Sequence, residues 1–431
     1  MRYLSRRAFV TTAGAAVVAS SVKAELAVNI IGRTTFYPED FGSGKDHDQI
    51  NRCIAAASQE AIRSGGADVV LSRRYRTEQP IEISASRVNL VAKAGATIAG
   101  IGRFDTIRFR GSAKNEIYYN HISGLALSEY EKTGGRSIAI LYAAQFIADD
   151  IPIENPYLGY DVISCNNVTL RNIRVANPRG EFGGRLTGGG QAKDGMEVDG
   201  RSDVIALENV VHSGGSARHR VDGNRHGLVV DGFVHTVSAK KLYFTAIDGH
   251  GLWVRNSVGA KDVPSFFSLY GVEGDFCYGV GVLMDQCNQF FMTDPMIHGS
   301  KGGPNIRLGE AVSGASLQGG FSTGARGDGI EVAAKDVAII GMKIADNSAP
   351  PQGGKVGAAS GIILKAANVG SRIVGNRVGS PSHPDWQKHG IEIEEGASSF
   401  VVTSNVTTGN ARHGIANFAG TDATKIVTNN I

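Results

Sequence analysis

The sequence predicts an all-β fold, a single-stranded right-handed parallel β-helix with an N-terminal capping helix. Three observations carry that expectation. A strand-like unit of the form Gly-apolar-x-apolar recurs from about residue 160 to the last residues. The copies are spaced in the twenties to about thirty residues, too short for a unit that buries its own apolar face and right for one that must stack on its neighbours. Helical periodicity is confined to one stretch ahead of the repeat.

The first element is an address. Ser5-Arg6-Arg7-Ala8-Phe9 precedes a weakly apolar Ala/Val/Ser run that ends Val22-Lys23-Ala24. That run is too short and small-sided to span a bilayer, which takes about 20 strongly apolar residues. The pattern predicts a twin-arginine signal peptide over 1–24, passage through the twin-arginine translocase, and a mature protein in the periplasm or outside the cell, without a membrane anchor.

Residues 25–66 form the next expected unit, an N-terminal segment with the capping helix. From Asp48 to Ser64 the apolar residues Ile50, Ile54, Ala57 and Ile62 repeat at helical spacing, with Asp48 as N-cap. Such a helix would cover the open edge of the first coil.

Residues 67–431 are expected to be the β-helix itself. Short β-type runs at Asp68–Leu71 and Pro80–Ile83 lead into the repeat, whose copies include His226-Gly227-Leu228-Val229-Val230, His250-Gly251-Leu252-Trp253-Val254, Asp328-Gly329-Ile330-Glu331-Val332 and His389-Gly390-Ile391-Glu392-Ile393. His226 to His250 and His389 to His413 are both intervals of 24 residues. Coils stacked about 4.8 Å apart would give a rod of ~65 Å for ~14 coils. The 57 glycines suit frequent tight turns, and Asn376, Asn405 and Asn430, which recur after the second strand, are expected to be left-handed turn residues. The last coil shows no cap, so its edge is a candidate for self-association into a homo-oligomer.

Composition excludes several function classes. A net charge of +3 with 20% charged residues argues against a nucleic-acid binder. Mean hydropathy is near zero. The cysteines Cys53, Cys165, Cys277 and Cys287 are widely separated and predict small buried core residues rather than a metal site. No acidic calcium cluster and no other cofactor motif is evident, and the glycines of 182–190 precede no helix that would make them a phosphate loop.

In each coil the residue before Gly occupies one column: Asp194, His226, His250, Asp328, His389, His413. Strict alternation would turn this column inward with Leu228 and Leu252, while a bend at the Gly would bring it to the surface. On the surface, neighbours about 5 Å apart could share a proton, so Asp194, His226 and His250 are the candidate acid/base centre. For His389 and His413 a stacked structural corner is the simpler expectation. The middle residue of each strand should face outward: Glu197, Trp253, Arg307, Glu331, Glu392. Trp253 and Glu197 are candidate sugar-binding residues. The insertion Gly214–Arg225 brings Arg218, Arg220 and Arg225, suited to an anionic ligand, with the glycine-rich 182–190 segment as the expected opposite wall of a cleft.

The segment Asp40-Phe41-Gly42-Ser43-Gly44-Lys45-Asp46, followed by Gly65-Gly66-Ala67-Asp68-Val69-Val70-Leu71 and Arg73-Arg74-Tyr75, resembles the opening of the pectate-lyase-like superfamily. Within it, the central coils look like the polygalacturonase family of glycoside hydrolases. Asp194 matches the aspartate of that family's N-T-D-G motif, with Lys193 in place of Thr, and Gly249-His250-Gly251 matches its G-H-G. The D-D pair is replaced by Arg225-His226, and the final R-x-K is missing near Gly281-Val282-Leu283. The resemblance implies a carbohydrate-active enzyme. The departures remove one of the two carboxyl groups hydrolysis needs, leaving Asp199, Asp222 or Asp231 to supply it. Cleavage of an acidic polysaccharide by hydrolysis or β-elimination is therefore expected. A uronate C5 epimerase and a non-catalytic glycan-binding or envelope protein are the alternatives.

Overall fold

The computed structural model describes residues 33–189, 200–214, 224–380 and 382–431. The expected signal peptide lies outside them. Thr34–Ile431 is one compact unit, a right-handed parallel β-helix in which each strand pairs in parallel with its counterpart one coil earlier and one coil later. The strands Leu158–Ile163, Phe182–Gly188, His226–Gly232 and Leu252–Arg255 stack in this way on one face of the coil. Long strands such as Asn166–Ala176, Ser202–Ser213 and Val234–Thr245 wrap the other two faces. They bend at Asn172, Asn209 and Lys241, each with φ between 54° and 59°, a left-handed conformation Asn tolerates best. Among the described residues no helix is long and apolar enough to cross a membrane.

Alternation decides what is inside. Leu228, Val230, Leu252, Val254, Val282 and Ile306 point inward and are sealed from solvent, and their stacking forms one continuous core. The four cysteines are part of this interior, buried and unpaired. The glycine of each repeat is explained by clearance. A Cβ on Gly227 would stand 2.5 Å from the carbonyl oxygen of Gly251, one on Gly251 at 2.5 Å from Gly281 and one on Gly329 at 2.5 Å from Gly361. Successive backbones touch along this line, and only glycine fits there.

The capping helix runs Asp46–Ser64 and lays Ile50, Cys53, Ile54, Ala57 and Ala61 on the first coil. It ends in a left-handed Gly65 whose N–H donates to the Ala61 carbonyl. Two expectations are corrected here. The helix begins two residues before Asp48, because Lys45 in extended conformation serves as N-cap without any side-chain bond. Ile62 is 85% exposed: eight residues beyond Ile54 the helix has turned about 80° past the buried face.

The asparagines Asn376, Asn405 and Asn430 are also not turn residues. Gly375, Ser404 and Asn429, one residue earlier, take the positive φ. Asn376 and Asn405 turn inward instead, and the three make a ladder. The side-chain amide of Asn376 donates to Oδ1 of Asn405 at 3.0 Å and that of Asn405 to Oδ1 of Asn430 at 2.9 Å. At the far end, His413–Asn417 and Ile426–Thr428 pair on one side only among the described residues.

Candidate functional site

The structure brings His226, His250 and Trp253 together. His226 opens the strand His226–Gly232, and His250 stands one coil on, since Leu228 pairs with Leu252 and Val229 with Trp253. Trp253 lies between the inward Leu252 and Val254, so its indole is on the outer surface of the coil. Both imidazoles pack against it, with centroids 4.6 Å (His226) and 5.2 Å (His250) from the indole. The column is therefore on the outer face rather than in the core. The two imidazoles are stacked 5.0 Å apart and tilted only 7° from parallel.

Backbone bonds fix the protonation pattern of the stack. The His250 N–H donates to Nδ1 of His226 at 3.0 Å, and the Val280 N–H donates to Nδ1 of His250 at 2.9 Å. A neutral imidazole that accepts at Nδ1 carries its proton on Nε2. Burial, the largest influence, pushes His250 down to about 4, against a smaller opposing pull from Asp285, so it is neutral at physiological pH. The stack thus differs from the expected acid/base pair: the lone pair a base would use is already engaged, and what His250 offers is an N–H donor. Glycines make the bonds sterically feasible. A Cβ on Gly249 would lie 2.5 Å from Nδ1 of His226, and one on Gly279 2.6 Å from Nδ1 of His250.

Gly249→Ala is accordingly expected to push the His226 ring aside and break its bond to the His250 N–H, costing about 1–3 kcal/mol. Imidazole ¹⁵N spectra check this directly. Wild type should show His226 and His250 as Nε2–H tautomers, and the variant should lose that signature at His226.

Around the stack the charges are paired. The Trp253 Nε1–H donates to Asp285 at 2.6 Å, and the Arg255 guanidinium lies 4.2 Å over the indole ring. Arg255 also donates to Asp231 at 2.7 Å and Glu181 at 2.8 Å. Asp231, one of three carboxylates considered as a second catalytic group, is buried and takes further bonds from the Ser257 and Val258 N–H groups and the Ser257 hydroxyl. It is a structural anchor for that turn, not an open carboxylate. Arg225 is half-buried, 4.0 Å from Asp248.

Asp194, Glu197, Arg218 and Arg220, and with them Asp199 and Asp222, lie outside the described residues. The segment expected as the opposite cleft wall is corrected: Phe182–Gly188 is a strand of the β-helix, buried along its length. Its glycines are there because Tyr160 and His212 lie across them; a Cβ on Gly184 would stand 2.3 Å from the Tyr160 ring and one on Gly183 2.7 Å from His212. Residues the sequence reading passed over are Arg255, Asp285 and Glu181. Aligning the coils on their inward leucines and valines would have placed Arg255 and Asp285 in adjacent positions of one column.

A second charged feature occupies the same face toward the N-terminus. Arg136 donates to Asp105 through Nε and Nη2, both at 2.9 Å, and to Asp161 at 3.0 Å, and Arg185 closes on Asp161 at 3.1 and 2.6 Å. This chain of alternating charge across successive coils is almost wholly buried.

No family model matches the chain, and no curated protein does. Solved structures do resemble it. The A-module of an Azotobacter vinelandii mannuronan C-5 epimerase is 16% identical, covers 92% of this chain and 98% of its own, and superposes with a TM-score of 0.56. A DFA-IIIase from Arthrobacter chlorophenolicus A6 is 11% identical over 90% of this chain and 99% of its own, with a TM-score of 0.58. Dettilon tailspike protein is 12% identical over 89% and 68%, with a TM-score of 0.55. At such identities the likeness is one of fold.

Proposed function

We propose that the protein acts on an acidic polysaccharide bound across the outer face at His226, His250 and Trp253, and that it removes the acidic proton next to a uronate carboxylate. The observation that carries this reading is His250 held neutral within the imidazole stack, with its Nε2–H as a donor beside Trp253. Abstraction at C5 leaves a charge delocalised onto the carboxylate, and a fixed neutral donor together with nearby arginines stabilises that charge. Asp194 is the base in this reading, with Arg218, Arg220 and Arg225 neutralising substrate carboxylates and Glu197 contacting the sugar. Expulsion of the C4 oxygen then gives chain cleavage by β-elimination; return of a proton from the opposite side gives C5 epimerisation. Hydrolysis at this position is less well supported, since it needs two carboxyl groups across one bond and Asp231 is fully occupied. Fold neighbours that include a mannuronan epimerase are in keeping with a polyuronate. Export by the twin-arginine translocase to the periplasm or beyond would place the protein where such polymers occur.

Glycan binding without chemistry is favoured by a different observation. Arg255, the cation over the Trp253 ring, is already committed to Asp231 and Glu181, which leaves it neutralised toward a substrate charge.

The deciding experiment incubates the protein with polymannuronate, polyguluronate and polygalacturonate in deuterated buffer, following reducing ends, ultraviolet absorbance of unsaturated ends, and exchange at C5. Unsaturated ends or C5 exchange, falling about 100-fold or more in Asp194→Ala and His250→Gln, are expected. Silence of the wild type in both readouts, with retained binding to one polymer, would replace the enzyme by the binder.

A further inference from the structure

We propose that Asp328 is a general acid in a second catalytic centre on the same face, three coils beyond His250, cleaving glycosidic bonds with Glu331 as its carboxylate partner. The proposal rests on the reading that a polysaccharide lies along this face.

Position is the first argument. Ile330, Ile362 and Ile391 are in register, which puts Asp328, Ser360 and His389 in the column that begins with His226 and His250. Arg307, Glu331, Ile363 and Glu392 continue the column of Trp253. Asp328 and Glu331 thus occupy the same two columns as His250 and Trp253, on one strand end. At about 4.8 Å per coil, Asp328 is ~14 Å from His250, too far to serve the same sugar ring but within reach of one polymer chain.

Chemistry is the second. Asp328 is half-buried and accepts one bond, from the Ser360 N–H at 2.6 Å. Burial and then the negative Glu331 and Glu392 push it up to about 6, with Lys365 the one opposing cation. The carboxyl groups beside it are engaged by cations. Arg307 meets Glu331 at 3.0 and 3.2 Å. Glu392 takes the Ser360 hydroxyl at 2.6 Å and the Lys388 ammonium at 3.0 Å. A carboxyl group whose burial favours its proton, beside an ion-paired carboxyl group, suits the division of labour that glycoside hydrolysis requires.

His389 is the third. Its ring is 2% exposed and stacks on His413 at 5.3 Å, yet its Nδ1 has no hydrogen-bond partner among the described residues. Arg412 stands where Gly249 and Gly279 stand in the earlier coils, and this stack lacks the bond from the next coil's N–H that those glycines admit. The column therefore keeps an unbonded Nδ1 one coil from Ser360, where both Nδ1 atoms of the earlier stack accept a backbone N–H.

In the proposed step the Asp328 O–H gives its proton to the bridging oxygen as the C1–O bond breaks, the bonding pair staying on that oxygen. A water molecule adds at C1 and its proton passes to Glu331, so one glycan and one water become two chains.

The test measures reducing ends released from the same polyuronates and from neutral glycans, on full-length wild type, Asp328→Asn and Glu331→Gln. Wild type releasing reducing ends that carry no ultraviolet absorbance, with a loss of about 100-fold or more in Asp328→Asn and Glu331→Gln, is the expected result. Asp328→Asn should fold well, because asparagine mimics the protonated acid; its thermal midpoint should rise at about pH 7.5 and not at about pH 4.5. Wild type that releases no such ends from any polymer, or Asp328→Asn as active as wild type, overturns the second centre. The uronate reading stands or falls separately, on ultraviolet absorbance and C5 exchange in the same samples.

Discussion

Asp161→Ala is expected to lower the unfolding free energy by about 3–5 kcal/mol, the usual cost of removing one partner from a buried ion pair. The carboxylate is sealed from solvent and is shared by two cations, Arg136 on one side and Arg185 on the other. Its removal takes away a carboxylate that pairs with both Arg185 and Arg136. Alanine also leaves unfilled space in strand Leu158–Ile163, where both neighbours are packed. Asp149→Ala provides the contrast. Asp149 pairs with Arg171 at 2.7 Å on an exposed part of the coil, where such a pair contributes under about 1 kcal/mol. Urea titrations at low and high salt compare the two. Equal losses, or a loss at Asp161 that salt erases, would show that the buried ladder is not what holds these coils.

Acid should unfold the protein through its buried histidines. His212 is inside the coil, stacked on Phe244, with its Nε2 3.1 Å from the Tyr160 hydroxyl, and burial pushes it down to about 3. In the unfolded chain a histidine protonates near 6.5, so between that pH and about 3 only the unfolded state gains the proton. The stability that neutral His212 contributes is present above pH ~6.5 and drains away as pH falls, by about 1.4 kcal/mol per pH unit at full effect. His250 adds a smaller effect of the same sign, being half-buried and lowered only to about 4. Asp328 acts oppositely: raised to about 6, it protonates in the folded state first and favours folding as pH falls toward 4. His389, lowered by burial, and the ion-paired Asp105 and Asp149, also lowered, act with the two histidines, while Asp275, raised by burial, acts with Asp328; the expected balance is a loss in acid. His212→Phe is expected to flatten the pH dependence between about pH 6 and pH 4 by one proton. At neutral pH it should cost about 1–2 kcal/mol, because the Tyr160 hydroxyl loses its partner. An unchanged slope in the variant would remove His212 from this account.

Much of the architecture was legible because the inward column is chemically monotonous. Leu228, Leu252, Ile330 and Ile391 announce a coil wherever they recur, because they fill its apolar interior. Elements whose identity depends on a neighbour in space were not legible. Phe182–Gly188 reads as a loop by composition, yet its glycines answer to Tyr160 and His212, distant in sequence. Asn376, Asn405 and Asn430 have the composition of turns and the role of an inward ladder, since a side chain bonded to the next coil satisfies buried amides as well as a turn does. At the candidate site the column of His226 and His250 was visible from its spacing. Its protonation pattern was not, because it follows from which backbone N–H lies under each ring. The pairing of Arg255 with Asp231 and Glu181 was hidden for a related reason: insertions of different length separate the coils, so adjacency across coils cannot be counted along the chain.

The strand pairing of this fold has a consequence for how damage spreads. Each coil touches the one before and the one after, and the register passes between them through single ladders of backbone bonds. The molecule therefore behaves as a queue rather than a network. A fault in one coil is felt by its two neighbours and fades beyond them, and a coil at an open edge can unpair while the middle stays shut. Heat should meet it as a series of local events, with the coils nearest an exposed edge surrendering first. A queue of this kind also tolerates insertion between its members. A lengthened turn leaves the backbone-to-backbone line at Gly227, Gly251 and Gly329 untouched, so outer loops can be exchanged for new specificities without renegotiating the interior.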